Sequence, residues 1–171
     1  MPETELQEAG GPPARILIVE DNDGDIFLLT LALEKAAFPH SLTVFRDGAD
    51  AMKFLRGALL AGGDALPGLA MLDLNLPRVD GSTVIEMFRT EPALSNIPVV
   101  LMSSSRAPQD SALAGKLNKC IFAVKPSDLS AYMNLGVLAR DFWMRERKAA
   151  GQPNPASLRN LADSSGGVGL M

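Results

Sequence analysis

The sequence predicts an α/β protein whose core is an open, five-stranded parallel sheet with helices packed against it. Short runs of consecutive apolar residues alternate along the chain with longer segments in which apolar residues recur at helical spacing. Continuous apolar runs are typical of parallel strands buried on both faces, and their alternation with helices is typical of βαβ units. Acidic or polar residues follow four of the five runs, which predicts a ligand crevice at the carboxyl ends of the strands.

The strands are predicted from their apolar runs and from the residues that interrupt them. The first strand contains Ile16 to Val19 and stops at Glu20, where a carboxylate ends the apolar run. A Gly- and Ala-rich connection, residues 57–68, precedes the third strand and either is a loop or extends the second helix, and Pro98 opens the fourth strand. The five predicted strands are residues 15–19, 42–45, 69–72, 98–102 and 120–124.

The helices are predicted from apolar residues at helical spacing and from their terminal residues. In the first helix, Ile26, Leu29 and Leu33 lie on one face, and Pro39 closes the connection that follows. The last helix is the longest and takes Ser127 as its N-cap. The five predicted helices are residues 23–37, 48–56, 82–89, 109–116 and 127–148.

The length of the chain fits a single domain with short ends. It has 171 residues, of which 47% are hydrophobic, and this is enough for one packed core. We expect a flexible, Gly- and Pro-rich segment at residues 1–14, the α/β domain at 15–148, and a C-terminal tail at 149–171 that is disordered or ordered only by a partner. No room remains for a separate output domain.

Composition and charge exclude several classes of function. A net charge of -4 without a basic stripe argues against nucleic-acid binding. The N-terminus is acidic, and no apolar run reaches the length of a membrane span. The single cysteine, Cys120, lies in a predicted strand and fits a buried thiol in a reducing compartment. We therefore expect a cytoplasmic protein that binds neither nucleic acid nor membrane.

Five side chains at the ends of the strands point to phosphoryl chemistry. Glu20 and Asp21 follow the first strand, Asp73 the third, Ser103 the fourth and Lys125 the fifth. Three carboxylates at one spot would repel one another, and Mg²⁺, a hard cation with oxygen ligands, would relieve the repulsion. Asp73 is the candidate nucleophile because an aspartate can attack a phosphoryl group and hold it as an acyl phosphate. Lys125 would neutralise charge on the phosphoryl oxygens, and Ser103 would donate its hydroxyl to one of them.

The motifs around these residues resemble the receiver domain of two-component response regulators, over residues 14–148. They are Ile16 to Asn22, Asp73 to Pro77 with Asp80-Gly81, Ile97 to Ser105, and Val124 to Pro126. In that family the sheet is doubly wound with strand order 2-1-3-4-5 and five flanking helices, a flavodoxin-like arrangement. The resemblance implies that Asp73 accepts a phosphoryl group from a histidine of a sensor kinase in a phosphorelay.

The resemblance also implies the cofactor and its ligands. Asp21, Asp73 and the backbone carbonyl of Asn75 would bind Mg²⁺, and Glu20 would contribute through a water molecule. Lys125 would pair with the phosphoryl oxygens. The protein would be a phosphoacceptor that catalyses only its own phosphorylation and dephosphorylation, and not an enzyme acting on a separate substrate.

Two further features of the family have counterparts here. Ser103 and Phe122 resemble the switch pair, in which the hydroxyl moves toward the phosphate and the aromatic ring fills the space that it leaves. Phe122 stands where tyrosine is often found, so the coupling would rely on packing alone. Asp25, and Phe142 and Trp143 late in the last helix, make the chain most similar to single-domain regulators of phytochrome-type histidine kinases. Those relatives often form homodimers through the last helix and a C-terminal arm, which would give Phe142, Trp143 and the tail a role.

Three other classes of protein compete with this interpretation. A haloacid-dehalogenase-like phosphatase also uses an aspartyl phosphate, but it needs a second aspartate two residues after the nucleophile, where this chain has Asn75. A flavodoxin-like binder would need a Ser-, Thr- or Gly-rich phosphate cradle after the first strand, where residues 20–23 are mainly acidic. A pseudo-receiver that acts as an interaction module would lack part of the acidic and lysine set, and this chain lacks none of it.

Overall fold

The computed structural model describes residues 12–151, which form a five-stranded parallel sheet covered by helices on both faces. The elements in chain order are β1 (Ala14–Val19), α1 (Asp23–Lys35), β2 (His40–Phe45), α2 (Gly48–Ala61), a short 3-10 helix (Gly63–Ala65), β3 (Leu69–Asp73), α3 (Gly81–Thr90), β4 (Val99–Ser103), α4 (Pro108–Ala114), β5 (Cys120–Val124) and α5 (Leu129–Ala149). The strand order is β2-β1-β3-β4-β5, and neighbouring strands are parallel. The predicted doubly wound, flavodoxin-like fold is therefore confirmed.

The central strands are apolar along their length because helices cover both faces of the sheet. Every residue of β3 and β4 is buried. Successive side chains of β1 point to opposite faces, so that Ile16 and Ile18 pack with α1 and α5, whereas Leu17 and Val19 pack with α2 and α3. Two separate cores, one on each face, thus fix the sheet and bring the carboxyl ends of its strands to one edge.

The second helix is longer than predicted. The sequence places its end at residue 56, but α2 continues to Ala61 because Ala58 extends the buried face that Ala51 and Leu55 begin. The helix ends at Gly62, whose φ of 71° is the left-handed conformation that glycine adopts without strain. The Gly- and Ala-rich connection is thus partly helical.

The N-cap of the last helix is Asp128 and not Ser127. The Asp128 carboxylate accepts a hydrogen bond from the backbone N–H of Ala131 at 2.8 Å. Aspartate caps as well as serine does, and its negative charge also suits the positive end of the helix dipole. The prediction was wrong by one residue because both neighbours are good capping residues.

The first and last regular elements lie close to the ends of the described residues. β1 begins at Ala14, which is buried, and α5 ends at Ala149. Each of these two elements extends one residue beyond the predicted range of 15–148. Most of the predicted flexible segment (1–14) and of the predicted tail (149–171) lies outside the described residues. Within residues 12–151, no helix combines the length and the apolar character needed to cross a membrane.

Replacing Gly136 by alanine is expected to destabilise the fold, because α1 and α5 approach most closely there. A Cβ at Gly136 would lie 2.0 Å from the carbonyl oxygen of Ala32, which is backbone and cannot yield cheaply. We expect Gly136→Ala to lower the free energy of unfolding by about 1–3 kcal/mol. The matched control is Gly57→Ala on α2, where a Cβ meets nothing within 4 Å.

Gly57→Ala should instead raise the free energy of unfolding by about 0.5–1 kcal/mol, since alanine is the better helix former. Urea denaturation of the two variants checks both signs. An unchanged or raised stability of Gly136→Ala would contradict the close packing of α1 on α5.

Candidate functional site

The parallel strands bring the predicted acidic residues together at one edge of the sheet. Glu20 directly follows β1 and is completely buried, and Asp73 is the last residue of β3 and is 3% exposed. Asp21 lies beside them and is exposed. One carboxylate oxygen from each of these three residues lies within 4.8 Å of the others. The three carboxylates predicted from the sequence therefore form one cluster.

Lys125 lies in the same cluster, immediately after β5. Its ammonium donates hydrogen bonds to Glu20 Oε2, to Asp73 Oδ2 at 2.9 Å and to Asp25 Oδ2 at 3.0 Å. Burial alone would lower the pKa of Lys125, but the hydrogen bonds to the three carboxylates outweigh burial and raise that pKa above its ordinary value. An ammonium has three protons to donate, so these three carboxylates occupy all the donors of Lys125.

Asp25 and Tyr132 are also part of this network, although the sequence pattern did not predict that they contact it. Asp25 is in the first turn of α1, and its Oδ1 accepts a hydrogen bond from the Tyr132 hydroxyl on α5 at 3.2 Å. The Tyr132 ring is buried in the core between the sheet and α1. A buried tyrosine usually has a hydrogen-bond partner for its hydroxyl. A tyrosine on the apolar face of the last helix was therefore the feature of the sequence that could have indicated this contact. The pair links Lys125 to α5.

The loop that follows Asp73 is held in two places. The backbone N–H of Asn75 donates to Asp73 Oδ1 at 2.9 Å, which orients the carboxylate. Further along, Arg78 has a φ of 62° and pairs with Asp47, the buried N-cap of α2. Left-handed backbone at a residue other than glycine is strained, and the ion pair ties this strained residue to α2. The carboxylate of Asp73 is therefore fixed by its own loop as well as by Lys125.

Burial makes the carboxyl group of Glu20 a weaker acid than an exposed glutamate. Removal from water raises the pKa of its carboxyl from 4.5 to about 7, and the Asp73 charge adds to the rise, although the hydrogen bond from Lys125 opposes it. The cluster is thus short of positive charge, because several carboxylates surround one ammonium. This shortage is what a bound divalent cation would correct.

In the metal-free protein, the free energy of unfolding is expected to fall as the pH rises from about 4.5 to about 7. Below this range Glu20 is protonated in both states, and above it the folded protein must bury a charge that the unfolded chain exposes to water. Between the two limits the folded state binds the proton more tightly, so stability falls with pH. Urea denaturation in the presence of a chelator measures this slope.

Glu20→Gln is the control for this prediction, because it keeps the shape of the side chain and cannot ionise. The stability of wild type relative to Glu20→Gln should fall across the same pH range. A relative stability that is flat or rises with pH would contradict the raised pKa of Glu20.

Ser103 is the last residue of β4 and Phe122 is the middle residue of β5, and Ser103 has a partner that the sequence did not indicate. The Ser103 hydroxyl is fully buried and donates to Asp110 Oδ2 on α4 at 2.8 Å. Phe122 is half-buried in β5 and packs against the core on the α2 and α3 face. Of these two residues, Ser103 lies at the carboxyl edge of the sheet with its hydroxyl bound to α4, and Phe122 pairs with Leu101 within the sheet.

The side chains of Phe142 and Trp143 do not lie on the exposed surface of α5. Both side chains are buried in the core between the sheet, α1 and α5, and the Trp143 ring packs on Phe38 with centroids 5.3 Å apart. This placement corrects the prediction that they are dimer contacts, because their aromatic side chains complete the core of their own chain. The large apolar residues that α5 exposes are Leu129, Val137, Leu138 and Met144.

The donor set at the acidic cluster fits a hard divalent cation. The ligands available are carboxylate and carbonyl oxygens, and no cysteine or histidine is among them. Oxygen ligands of this kind suit Mg²⁺ or Mn²⁺. Such a cation, when bound, would neutralise both the cluster and the oxygens of an anionic ligand.

A doubly wound sheet with carboxylates at the ends of β1 and β3, a hydroxyl at the end of β4 and a lysine after β5 is the arrangement typical of receiver domains. Comparison with known protein families agrees, since the response regulator receiver domain matches residues 16–135. The chain belongs to the response regulator receiver family. The comparison therefore supports the fold independently of its geometry.

Several known members of the family are similar to this chain along most of their length. Response regulator Rcp1 from Synechocystis sp. is 31% identical over 139 residues, which are 81% of this chain and 95% of Rcp1. The crystal structure of the phosphorylated cyanobacterial phytochrome response regulator RcpA has 34% identity and a TM-score of 0.66, covering 77% of this chain and 94% of RcpA. The Mn²⁺-bound form of Rcp1 has 32% identity and a TM-score of 0.65, with the same two coverages.

Proposed function

We propose that this protein is a response regulator that accepts a phosphoryl group on Asp73 from a sensor histidine kinase in a phosphorelay. The observation that carries the proposal is the Asp73 carboxylate, which lies beside Glu20 and Asp21 and is held by Lys125 at 2.9 Å. The chain contains one histidine, His40, whose ring nitrogen faces the carbonyl oxygen of Phe38. The phosphohistidine must therefore come from another protein.

In the proposed transfer, an oxygen of Asp73 attacks the phosphorus of a phosphohistidine. A carboxyl O–P bond forms as the P–N bond breaks, and the electron pair of that bond returns to the imidazole nitrogen of the kinase. Lys125 gives up one of its carboxylate partners and donates to a phosphoryl oxygen, and Ser103 donates its hydroxyl to another. Water later hydrolyses the acyl phosphate. The protein thus acts on its own aspartate and has no separate substrate.

Mg²⁺ is the cation that we propose for the acidic cluster. Asp21, Asp73 and the backbone carbonyl of Asn75 would hold it, and Glu20 would contribute through a water molecule. The cation would supply positive charge to the phosphoryl oxygens in the transition state. Support comes from the oxygen-only donor set and from the Mn²⁺-bound structure of the relative Rcp1.

Ser103 and Phe122 are the residues that we propose as the switch pair. On phosphorylation the Ser103 hydroxyl would move toward Asp73, and the Phe122 ring would turn into the space beside β4. Phosphorylation would then shift a pre-existing equilibrium between two arrangements of α4, β5 and α5. The half-buried position of Phe122, which packs on the same core cluster as the partly buried Leu113 of α4, suits such a movement.

A phytochrome-like photoreceptor kinase is the partner that we propose for this phosphorelay. The support is the similarity to RcpA, a cyanobacterial phytochrome response regulator. A bacteriophytochrome response regulator, AtBRR, is also 34% identical, with a TM-score of 0.60. We place the protein in the cytoplasm, where the half-buried Cys120, whose pKa burial raises to about 12, would remain a reduced, neutral thiol.

The proposed function is tested by incubating the protein with a candidate light-sensing histidine kinase and labelled ATP. We expect label to pass from the kinase to this protein only when Mg²⁺ is present, and the transferred label to be acid-labile, as an acyl phosphate is. A protein that stays unlabelled beside a kinase that phosphorylates itself, and that is also unlabelled by acetyl phosphate with Mg²⁺, would contradict the proposal in favour of a pseudo-receiver.

We also propose that the protein forms a homodimer through α5 and the segment that follows it. Val137, Leu138 and Met144 are each more than a third exposed and form an apolar strip on α5. Asp141 and Arg145 lie beside the strip and carry opposite charges; within the chain they pair with Arg140 at 2.9 Å and with Glu146 at 3.6 Å, and a second copy would compete for these pairs. Isolated exposed residues are ordinary, but a strip along one helix suits a partner.

Removal of residues 149–171 is expected to weaken this homodimer and to leave phosphoryl acceptance intact, because the acidic cluster contacts α5 near its N-terminal end, at Tyr132, and the removed residues begin at its C-terminal end. Leu138→Glu should have the same effect, since it places a charge in the apolar strip, whereas Lys53→Glu on α2 should not. Sedimentation velocity gives the mass in solution, and an unchanged mass for both the truncated protein and Leu138→Glu would contradict the dimer.

A further inference from the structure

The Ser103 hydroxyl is occupied by contacts within its own segment. It donates its proton to Asp110 Oδ2 at 2.8 Å and accepts a hydrogen bond from the backbone N–H of Ser105 at 3.0 Å. Ser103 is completely buried, so no water reaches the hydroxyl from the surface. A serine hydroxyl has one proton and can donate it to one acceptor at a time. The bond to Asp110 therefore excludes a bond to any other acceptor.

The position of Ser103 makes this exclusion relevant to the acceptor site. Asp73 pairs with Met102 in the register of β3 and β4, so Ser103 is the next residue along the neighbouring strand. A phosphoryl group on Asp73 would carry three oxygens into this region, each able to accept the proton. Asp110 and the phosphoryl group would then compete for the same hydrogen.

We propose that Asp110 is a positioning residue that holds the Ser103 hydroxyl away from Asp73 until a phosphoryl group displaces it. This inference rests on the proposed function of Asp73 as phosphoacceptor. The carboxylate acts through Ser103 and does not touch the phosphoryl group. Phosphoryl transfer must break the bond between Ser103 and Asp110, which slows the transfer and stabilises the unphosphorylated form.

The attachment of α4 explains how breaking this bond would be transmitted. The helix has seven residues, none of them buried, and its N-cap, Ala107, makes no side-chain capping bond. The backbone N–H of Ala107 donates instead to the Ser105 hydroxyl at 3.0 Å. The start of α4 is therefore held by a chain of hydrogen bonds that passes through Ser103. Withdrawal of the Ser103 hydroxyl would leave both Ser105 N–H and Asp110 without their partner.

A test of this proposal must distinguish the effect of the Asp110 charge on the phosphorylation rate from the effect of its hydrogen bond to Ser103. Asp110 lines an open cleft that also contains Asp21, Asn75 and Asp80. Removal of one of these carboxylates would speed the approach of an anionic phosphodonor even if Ser103 were not involved. A double-mutant comparison distinguishes the two effects, because the charge effect persists without Ser103 and the hydrogen-bond effect does not.

The experiment measures the rate at which phosphoramidate and Mg²⁺ phosphorylate wild type, Asp110→Ala, Ser103→Ala and the double variant. We expect Asp110→Ala to accelerate phosphorylation about three- to tenfold beyond the effect of the same substitution in the Ser103→Ala background. Asp110→Asn removes the charge but keeps an oxygen that can accept from Ser103, so its acceleration should be smaller than that of Asp110→Ala. Asp110→Asn also tests the role of the hydrogen bond if Asp110→Ala proves to distort α4.

The outcomes separate this inference from the proposed function. An equal effect of Asp110→Ala in the two backgrounds, or no effect in either, would overturn the role of Asp110 while wild type is still phosphorylated. Equal rates for Asp110→Asn and Asp110→Ala would also overturn it, since charge alone would then account for the change. Absence of phosphorylation in wild type would overturn the proposed function, and the role of Asp110 with it.

Discussion

Asp73→Asn is expected to abolish labelling of the protein by its kinase and by small phosphodonors. The amide that replaces the carboxylate has no anionic oxygen to attack phosphorus, and it also removes one of the three acidic side chains of the cluster. We expect a complete loss of acid-labile phosphate. Labelled ATP with the kinase, followed by acid treatment of the separated protein, measures the effect.

The matched control for this substitution is Asp50→Asn. Asp50 is an exposed residue in the first turn of α2, away from the acidic cluster, and its loss should leave labelling unchanged. Circular dichroism should show that both variants are folded. If Asp73→Asn retained acid-labile phosphate at the wild-type level, another residue would be the acceptor and the assignment of Asp73 would be wrong.

Lys125→Met is expected to give the largest loss of stability. The Lys125 side chain is 7% exposed, and the Glu20 and Asp73 side chains that it pairs with are 0% and 4% exposed. Its removal leaves buried carboxylates facing one another without a cation. We expect the free energy of unfolding of the metal-free protein to fall by about 3–5 kcal/mol, the usual effect of breaking a buried ion pair by removing one partner.

The loss should be reversed in part by Mg²⁺, because the cation would replace the missing positive charge. Urea denaturation of Lys125→Met, with chelator and with Mg²⁺, measures both effects, and Lys53→Met on the exposed face of α2 is the control that should change neither. Stability equal to that of wild type in the presence of chelator would show that Lys125 does not hold the carboxylates together.

The fold was largely predictable because its determinants are local. The central strands are nearly continuous apolar runs, and the helices other than α4 have an apolar face, so the number and type of most elements follow from the sequence. The boundaries were less certain where neighbours compete for one role, as Ser127 and Asp128 do for the cap of α5. The extension of α2 to Ala61 depends on the burial of Ala58, which is a tertiary contact.

The site was predictable where it depends on strand ends and less so where it depends on helices. Glu20, Asp73 and Lys125 follow strands, and the parallel sheet brings them together. Asp25 and Asp110 reach the site from the first turns of α1 and α4, and a sequence does not show how those turns face the sheet.

The last helix illustrates a different limit of sequence reasoning. An aromatic pair late in a helix can face either the core or a partner. For Phe142 and Trp143 the close approach of α1 to α5 decides in favour of the core. That approach depends on the absence of a side chain at Gly136. The spacing of apolar residues does not reveal this role of a glycine.

The most direct test of the central claim is chemical identification of the modified residue. The protein is treated with phosphoramidate and Mg²⁺, reduced with borohydride, digested and examined by peptide mass spectrometry. Borohydride converts an aspartyl phosphate to homoserine, so we expect homoserine at position 73 alone, and none when Mg²⁺ is withheld. Homoserine at another aspartate, or an unmodified Asp73 in a protein that has taken up phosphate, would contradict the account.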